Sequence, residues 1–340
     1  MAINFDDSLV SEKLYPFTSI RNAADIRVGI LTIREKWELL QQKKIVDLLP
    51  GQTLLANLIP TKQSATIVAG INNTNDLVAG DDYKILNYPW QIFQLNDWAI
   101  RKDFELITNG RQSESIPSSN HVVASGNIFV EPGAVVSHSI LNASTGPIYI
   151  GKNAEIMEGC IIRGPFALCE GSVLKMGAKV YGATTIGPYS TAGGEIKNTV
   201  MFAYSNKGHD GYLGDSVLGE WCNLGAGTSN SNVLNTAAEV KVWQNDIKAF
   251  TPVGLKCGLL MGDYSRAAIN TSFNTGTTVG LCCNIFADGF PPKLVTDFSW
   301  GKEKYIFEKA LKDIDNWKKL KGQGISEKEK EVLKHLYTSL

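Results

Sequence analysis

The segment YSNKGHDGYLGDSVLGEWCNLGAGTSNSN, residues 204–232, contains the residues of this 340-residue chain that are best suited to chemistry. His209 is one of only four histidines, and it lies between Gly208 and Asp210. An imidazole with an ordinary pKa of about 6.5 can take a proton from an attacking group near neutral pH. The residue types therefore allow His209 to be a general base, although a polar residue in an exposed turn would look the same. The neighbouring Lys207 is expected to be solvated.

The composition argues against several classes of function. Lys and Arg number 33 and Asp and Glu number 34, so the net charge of −1 does not favour nucleic acid as a partner. No apolar run approaches the roughly 20 residues of a membrane-spanning helix, and the first residues, MAINFDDSLVSEKLYPF, lack the pattern of a secretory signal. We therefore expect a cytoplasmic protein that binds neither nucleic acid nor a membrane.

The six cysteines do not have a spacing typical of a metal site. None belongs to a CxxC motif, and Cys282 and Cys283 are adjacent in the sequence. Buried free thiols are therefore favoured over zinc ligands or disulfides. We predict no metal site from these residues.

A repeat of six residues determines the fold of the middle of the chain. Branched aliphatic residues recur every six positions, and a small residue usually follows four positions after each. Neither an α-helix nor a plain strand has this period, whereas a solenoid does. Three hexads would form one coil of about 18 residues, with neighbouring coils about 4.8 Å apart. The aliphatic positions are Ile150, Ile156, Ile162, Leu168, Leu174, Val180 and Ile186.

The repeat changes phase after Ile186. The next aliphatic position is assigned to Val200, fourteen residues later instead of twelve, and Gly193-Gly194 are predicted to be the two extra residues. In this phase Asn206 and Tyr212 would point inward, where unpaired polar groups are expensive to bury. A loop or a local distortion is therefore predicted over residues 205–212.

The remaining segments complete the predicted organisation. Hexads resume near Met261, and residues 232–256 fit no coil, so they are predicted to form an inserted arm. Residues 1–110 have a mixed α/β pattern, with helices predicted in NAADIRVGILTIREKWELLQQ and YPWQIFQLNDWAIRKDFELI and strands in QTLLANL and SATIVAG. We predict a polar linker at 111–125, a β-helix over 126–290 and a helical tail over 291–340 in which Ser326 is an N-cap.

The stretch KGHDGYLGDSVLGEWCNLGAGT resembles, in letters and spacing, the acetyltransferase domain of the bacterial bifunctional N-acetylglucosamine-1-phosphate uridyltransferase/glucosamine-1-phosphate acetyltransferase. The resemblance implies a left-handed β-helix, which is opposite to the usual handedness of crossover connections. It also implies a homotrimer with active sites between subunits. In that family a histidine activates a sugar amine for attack on acetyl-CoA, so acetyl-CoA or another acyl-CoA is the implied co-substrate.

The same resemblance implies roles for single residues. His209 matches the base, and Ala226 matches a residue that lines the coenzyme A site. Two departures from the family bear on specificity. Lys179 stands where the family has an arginine, so a bidentate contact to phosphate is lost. Val233 replaces a tyrosine. The residues that match contacts to the sugar phosphate or to the reacting groups are Lys179, Lys197, Tyr212, Asn223 and Asn232.

Most of the chain is also similar to a subfamily of sugar nucleotidyltransferases, through YPFTSIRNAADIRVGILTIREKWE and CGLLMGDYSRAAINTSFNTGTTVG. Such enzymes begin with a glycine-rich loop that holds the nucleotide phosphates. The residues before LYPFT, FDDSLVSEK, contain no glycine. We therefore expect a truncated α/β nucleotidyltransferase-like domain without nucleotide transfer, and Mg²⁺ would be required only if that activity is retained.

Three functions remain open. The favoured one is transfer of an acyl group from coenzyme A to a sugar phosphate or a nucleotide sugar, with His209 as the general base. The first alternative is nucleotidyl transfer to a sugar 1-phosphate. The second is a non-catalytic trimeric scaffold that binds a metabolite.

Overall fold

The six-residue repeat winds into a parallel β-helix, and its aliphatic residues line the interior. Ile150, Leu168 and Ile186 lie in register on three successive strands, 18 residues apart, and all three are fully buried. The other four predicted aliphatic positions belong to the same buried cluster. The prediction of an 18-residue coil is confirmed.

The structure, a computed structural model, describes residues 4–40, 53–62 and 83–340. Within them the α-helices are α1 (Ile33–Leu40), α2 (Gln91–Gln94), α3 (Asn96–Thr108), α4 (Phe307–Lys319) and α5 (Glu327–Thr338). The first strands are β1 (Asn4–Asp6), β2 (Thr53–Leu55), β3 (Leu58–Pro60) and β4 (Tyr83–Ile85). The lower coils contain β5 (His121–Val123), β6 (Ile128–Val130), β7 (Val135–Val136), β8 (Ile140–Asn142), β9 (Ile148–Ile150), β10 (Glu155–Ile156), β11 (Ile161–Arg163), β12 (Phe166–Leu168), β13 (Val173–Leu174), β14 (Lys179–Tyr181) and β15 (Thr184–Ile186).

The upper coils continue with the same alternation of short strands and turns. Their strands are β16 (Thr191–Ala192), β17 (Glu195–Lys197), β18 (Val200–Met201), β19 (Asn206–Lys207), β20 (Tyr212–Gly214), β21 (Val217–Leu218), β22 (Asn223–Leu224), β23 (Ser229–Asn230), β24 (Lys241–Gln244), β25 (Ala249–Pro252), β26 (Leu259–Met261), β27 (Arg266–Ala267), β28 (Ser272–Phe273), β29 (Thr277–Val279), β30 (Asn284–Ile285), β31 (Leu294–Val295), β32 (Ser299–Trp300) and β33 (Glu303–Lys304).

Three sheets form the faces of the β-helix. The six-stranded sheet has the order β5-β8-β11-β14-β17-β20, and the nine-stranded sheet has the order β6-β9-β12-β15-β18-β21-β26-β29-β31. The ten-stranded sheet has the order β7-β10-β13-β16-β19-β22-β27-β30-β32-β33, and only its last pair is antiparallel. Because each coil adds one strand to a sheet, equivalent residues of successive coils form columns on each face.

The predicted change of phase occurs, but the coil is shortened rather than lengthened by two glycines, and the inward residue is one position later than predicted. Ile186 pairs with Met201, so the coil shortens to 15 residues here and Met201 points inward. Val200, predicted as the inward residue, points outward and packs in one buried cluster with N-terminal residues such as Phe17 and Trp37. The pattern could not distinguish the two, because both residues are apolar and both are fully buried.

The predicted loop or local distortion over 205–212 is only partly present: residues 208–211 form a turn in a shortened coil, but β19 and β20 are strands that pair with the coil below. Their register turns Asn206 and Tyr212 outward and places Lys207 and Leu213 inward, each with 1% of its surface exposed. The polar residues that argue against a strand in the sequence therefore lie on its outer side. The expectation that Lys207 is solvated is wrong.

The β-helix extends past both of its predicted limits, residues 126 and 290. β5 lies in the segment predicted as a linker and pairs with β8. β31 and β32 continue the nine-stranded and ten-stranded sheets into the predicted helical tail, whose first helix begins at Phe307. The six-residue spacing is lost at the upper end, because the next inward residue after Ile285 is Val295, ten positions later.

The N-terminal residues pack against the outer side of the nine-stranded sheet. One buried cluster joins Leu14, Phe17 and Trp37 to Phe202 and Val217 of the β-helix. The rings of Phe17 and Phe202 lie 5.4 Å apart. This packing covers that face of the coil with apolar surface and leaves the six-stranded face available for other contacts.

The helix predicted in NAADIRVGILTIREKWELLQQ is only partly present. Ala23–Asp25 form a short 3-10 helix, and Gly29 has a φ of 85°, which interrupts any α-helix before α1. Residues 41 and 42 lie outside the described residues, as does the predicted strand SATIVAG. β2 and β3 occupy and extend QTLLANL, and α2 and α3 occupy the second predicted helix.

The segment predicted as an inserted arm contains an antiparallel hairpin of β24 and β25. A backbone hydrogen bond of 3.0 Å from the Cys257 N–H to the Asn232 carbonyl closes its base. At the end of the chain, α4 and α5 pack on the upper coils through a cluster that includes Trp221. Ser326 caps α5 in a capping box with Glu329, so the predicted N-cap is confirmed.

The six cysteines are all free and buried, as their spacing predicts. Burial raises the pKa of the Cys169 thiol to about 11, which makes it unreactive at neutral pH. Within the described residues, no helix is both long enough and apolar enough to span a bilayer.

The register of the coil interior can be tested by truncating one inward side chain. Ile162→Ala removes a fully buried side chain and should lower the free energy of unfolding by about 2–5 kcal/mol. The matched control is Ile306→Ala, because this isoleucine is 64% exposed and its loss should change stability by less than about 0.5 kcal/mol. Denaturant unfolding measures both values, and equal losses would contradict the assignment of the interior.

Candidate functional site

His209 lies in the turn between β19 and β20, at the corner where the ten-stranded and six-stranded sheets meet. It is exposed to solvent. Beneath it, Gly194 has a φ of 73°, and a Cβ there would come within 2.8 Å of the His209 carbonyl oxygen. Above it, the Gly227 N–H donates to the Asp210 carbonyl at 3.1 Å. Both neighbouring coils therefore contact the backbone of this turn and leave the imidazole accessible.

The six-stranded sheet presents two outward columns beside this corner. Residues two apart on one strand point to the same face, so each strand contributes one residue to each column. The first column contains Lys179, Glu195 and Tyr212, and the second contains Tyr181, Lys197 and Gly214.

The phenol of Tyr212 crosses from the first column to the second. It lies over Gly214, where a Cβ would be 2.1 Å from the phenol oxygen. The Asn232 amide donates to this oxygen at 3.1 Å and to the Asp215 carboxylate at 2.5 Å, and Asn198 donates to the same carboxylate at 2.6 Å. Burial, followed by the nearby charge of Asp215, raises the pKa of Tyr212 well above its ordinary value. The phenol therefore keeps its proton and can donate a hydrogen bond.

Two lysines stand on this face, together with the carboxylates of Glu195 and Asp215. Lys179 is exposed, and Lys197 is half-buried with its ammonium 5.6 Å from the centre of the Tyr181 ring. The Tyr181 hydroxyl donates to Glu195 at 2.5 Å, and this hydrogen bond raises the tyrosine pKa to about 12. Among the ion pairs of the described residues, none includes either lysine. Both ammonium groups can therefore meet an anion from solution.

The remaining predicted residues lie above the corner and beyond it. Ala226 is in the turn one coil above His209, and its carbonyl accepts a hydrogen bond of 2.7 Å from the Asn270 N–H. Asn223 lies on the ten-stranded sheet, in register with Asn206. It therefore faces away from the lysines of the six-stranded sheet.

The structure thus divides the seven predicted site residues between two faces and the corner that joins them. The six-stranded face holds Lys179, Lys197, Tyr212 and the amide of Asn232, the corner holds His209 and Ala226, and the adjacent face holds Asn223.

Sequence reasoning missed four polar residues of this face. Tyr181 and Glu195 form one hydrogen-bonded pair, and Asn198 and Asp215 form another. A signal for the first pair exists, because Tyr181 stands two residues after Lys179 and must share its face. The partner of Tyr181 can be predicted only once the shortened coil is known, because that coil places Glu195 beside Lys179.

The chemistry that this arrangement allows follows from its groups. An exposed imidazole can accept a proton, two ammonium groups can hold a phosphate, and a phenol with amide groups can bind hydroxyls. Within the part of the chain that the structure describes, no cluster of three or more His, Cys, Asp or Glu side chains is placed to hold a metal ion. The donors on this face suit an organic anion.

Comparisons with known proteins find one matching family model and several relatives. Residues 2–47 and 38–112 match the family model of sugar nucleotidyl transferases. The bifunctional protein GlmU of Methanocaldococcus jannaschii is 28% identical over 288 residues, which are 84% of this chain and 62% of that protein. GlmU of Gloeothece citriformis is 33% identical over 146 residues, 43% of this chain and 30% of that protein.

A third relative carries a more descriptive name. The bifunctional sugar-1-phosphate nucleotidylyltransferase/acetyltransferase of Sulfurisphaera tokodaii is 28% identical over 210 residues, 58% of this chain and 43% of that protein. These similarities confirm the resemblance that the sequence predicted. The chain spans less than two thirds of the length of each of these relatives.

The contact beneath His209 gives a test of how the turn is held. Gly194→Ala and Gly177→Ala both place an alanine at a positive φ, of 73° and 70°, which costs about 1–2 kcal/mol. Only Gly194→Ala also drives a Cβ into the backbone of the His209 turn, since a Cβ at Gly177 meets no atom within 4 Å. Gly194→Ala should therefore lose about 1–3 kcal/mol more in denaturant unfolding. Equal losses would show that the two coils do not touch at this corner.

Proposed function

We propose that this protein transfers an acyl group, acetyl in the simplest case, from coenzyme A to a sugar phosphate or a nucleotide sugar, with His209 as the general base. One observation carries the proposal. The exposed imidazole stands at a corner beside a face with two lysines that join no ion pair within the described residues. The sequence similarity to bifunctional nucleotidylyltransferase/acetyltransferases supports it.

The proposed reaction moves one proton. The acceptor nitrogen or oxygen attacks the thioester carbonyl carbon while the imidazole of His209 takes the proton from the attacking atom. The carbon–sulfur bond then breaks, and coenzyme A leaves as a thiolate that recovers this proton from the imidazolium. No covalent bond between acyl group and enzyme is needed, because the acceptor reaches the thioester directly.

The remaining residues bind the two substrates in this proposal. Lys179 and Lys197 hold the phosphate of the acceptor through charge-assisted hydrogen bonds. Tyr212 and Asn232 hold sugar hydroxyls, since their phenol and amide groups already point to the same space. Ala226 lies one coil above the base and lines the path of the coenzyme. Asn223 faces away from the lysines of its own chain, so in this proposal it contacts the sugar bound at a neighbouring subunit.

We also propose that the protein assembles as a homotrimer with a site at each subunit boundary. The support is apolar surface on the lower coils, where Ile140 and Ile161 of the six-stranded sheet are 41% and 51% exposed. Val135 and Met176, at 53% and 67%, extend this surface around the corner. Packing between subunits would bury these side chains and bring residues of a second chain to the corner.

The assembly can be measured directly. Light scattering at micromolar concentration should give about three times the chain mass of 37.1 kDa. Ile161→Glu places a charge in the proposed contact and should shift the mass toward that of one chain, because an unpaired buried charge is strongly unfavourable. A wild-type protein that stays monomeric would contradict both the trimer and the shared site.

The catalytic assignment predicts different effects for two variants. His209→Ala should lower kcat for acyl transfer by about 10²–10⁴, the usual contribution of a general base, and should leave binding of acyl-CoA unchanged. Lys197→Ala should mainly raise KM for the phosphorylated acceptor, since a lost charge-assisted contact costs about 1.5–3 kcal/mol. Steady-state kinetics with a sugar phosphate and acetyl-CoA separates the two effects.

The control for these variants is His335→Ala, because this exposed histidine lies in α5, outside the proposed site. Its turnover should equal that of the wild type. Full activity of His209→Ala would overturn the assignment of the base. The alternative reaction, nucleotidyl transfer, would require Mg²⁺ and would release pyrophosphate, so the same protein preparation distinguishes the two functions. A metabolite-binding scaffold would show binding without turnover of either kind.

A further inference from the structure

A lysine lies inside the β-helix, in the column of inward residues of the ten-stranded sheet that apolar side chains otherwise fill. Lys207 is inward on β19 and only 1% exposed. Directly below it in the ten-stranded sheet is Ala192, and Leu224 occupies the same position one coil above. Ile196 and Met201 point into the same coil from the other two faces. The small side chain of the alanine leaves room for the long lysine.

This placement works against the stability of the fold. Burial lowers the pKa of Lys207 to about 8, which means that the interior disfavours its charged form. Within the described residues, no carboxylate forms an ion pair with it. The charged group that acts on it is Asp210, on the exposed turn that follows. An apolar side chain of similar length would fill the same space without this penalty.

The contacts of the ammonium group show what the lysine does there. Its Nζ donates to the Gly193 carbonyl at 3.2 Å and to the His209 carbonyl. Both acceptors belong to the backbone of the corner that bears the imidazole. The His209 peptide is thus held from the inside by Lys207 and touched from beneath by Gly194, while the imidazole is accessible from outside.

We propose that Lys207 is a positioning residue that orients the peptide of His209 from within the coil, and this inference rests on the proposed function of His209 as the base. The lysine does not touch substrate in this account. It acts through the backbone, because the plane of the peptide that carries the accepted carbonyl sets the direction of the His209 Cα–Cβ bond. A displacement of a catalytic group by about 1 Å can lower a rate about 10²-fold, so loss of this restraint has a measurable effect on turnover.

The test separates activity from stability with Lys207→Met, which keeps the length of the side chain and removes its donors. At pH 7 the variant should be at least as stable as the wild type, while kcat for acyl transfer falls about 10-fold or more and KM for acyl-CoA stays unchanged. Lys207→Gln retains two N–H donors and should recover part of kcat. Lys175→Met is the control, because Lys175 is exposed on the coil below at the same corner, and its activity should not change.

The pH dependence of stability gives a second measurement. The folded pKa of about 8 lies below the ordinary value of 10.5, so between these pH values the unfolded chain binds more protons than the folded one. Wild-type stability should therefore gain a contribution as pH rises from about 8 to 10.5, and the penalty is complete below about pH 8. Lys207→Met should lack this rise, and the difference in stability between the two proteins should shrink across that window.

The outcomes distinguish this inference from the proposed function. A wild-type protein without acyl transfer would contradict the proposed function. The NMR signals of the His209 ring would still test whether Lys207 orients His209. We expect these signals to shift or broaden in Lys207→Met and to stay in place in Lys175→Met. An unchanged ring signal with unchanged kcat would overturn the inference. So would a parallel loss of stability and kcat at pH 7, which would make Lys207 a structural residue only.

Discussion

The interior of the β-helix accepts side chains only from alternate residues of each strand, and this limit determines where the residues between them point. Residues such as Leu168 and Ile186 are locked in register by the parallel ladders on either side. Once an inward residue is placed, its two neighbours must face outward at a set height. The proposed site is a product of this constraint, since Lys179 and Tyr212 belong to one column only because Val180 and Leu213 point inward.

The coils that carry the proposed site are shorter than the coils below them. The 18-residue spacing holds up to Ile186, but Val180 pairs with Ile196 after 16 residues and Ile186 pairs with Met201 after 15. The missing residues are taken from the corners, where Gly194 makes close backbone contacts that a larger residue could not make. A shorter coil has less perimeter, and it brings the turn of His209 onto the glycines beneath it.

Much of the fold could be predicted from sequence, because few architectures besides a solenoid repeat every six residues as this chain does between Ile150 and Ile186. The phase beyond it could not, since Val200 and Met201 are equally apolar and only the packing of the N-terminal residues on the outer face distinguishes them. An inward lysine also contradicts the rule that interior positions of a coil are apolar. The pattern therefore places Lys207 in solvent and predicts a loop where the structure has a strand.

The predicted site residues depended on resemblance, and their grouping depended on register. The hydrogen bonds between Tyr181 and Glu195 and between Asn198 and Asp215 cannot be derived from the six-residue pattern, because its spacing changes after Ile186. Conversely, the N-cap at Ser326 can be predicted from local chemistry alone, because a capping box involves only neighbouring residues.

The hairpin of β24 and β25 leaves and rejoins the coil at almost one point, where the Cys257 N–H meets the Asn232 carbonyl. β21 precedes the arm and β26 follows it, and the two strands pair directly. Residues added within the arm therefore do not alter this pairing. The entropy of closing such an excursion rises only slowly with its length. The tip of the hairpin, residues 245–248, can therefore be lengthened or replaced by a foreign peptide while the coil stays intact. Val240, which precedes β24, and Val242 on β24 must be kept, because both are fully buried in the core between the N-terminal residues and the β-helix. The arm begins at the same Asn232 whose side chain donates to Tyr212, so a change at its first residues alters the surroundings of the proposed sugar contacts.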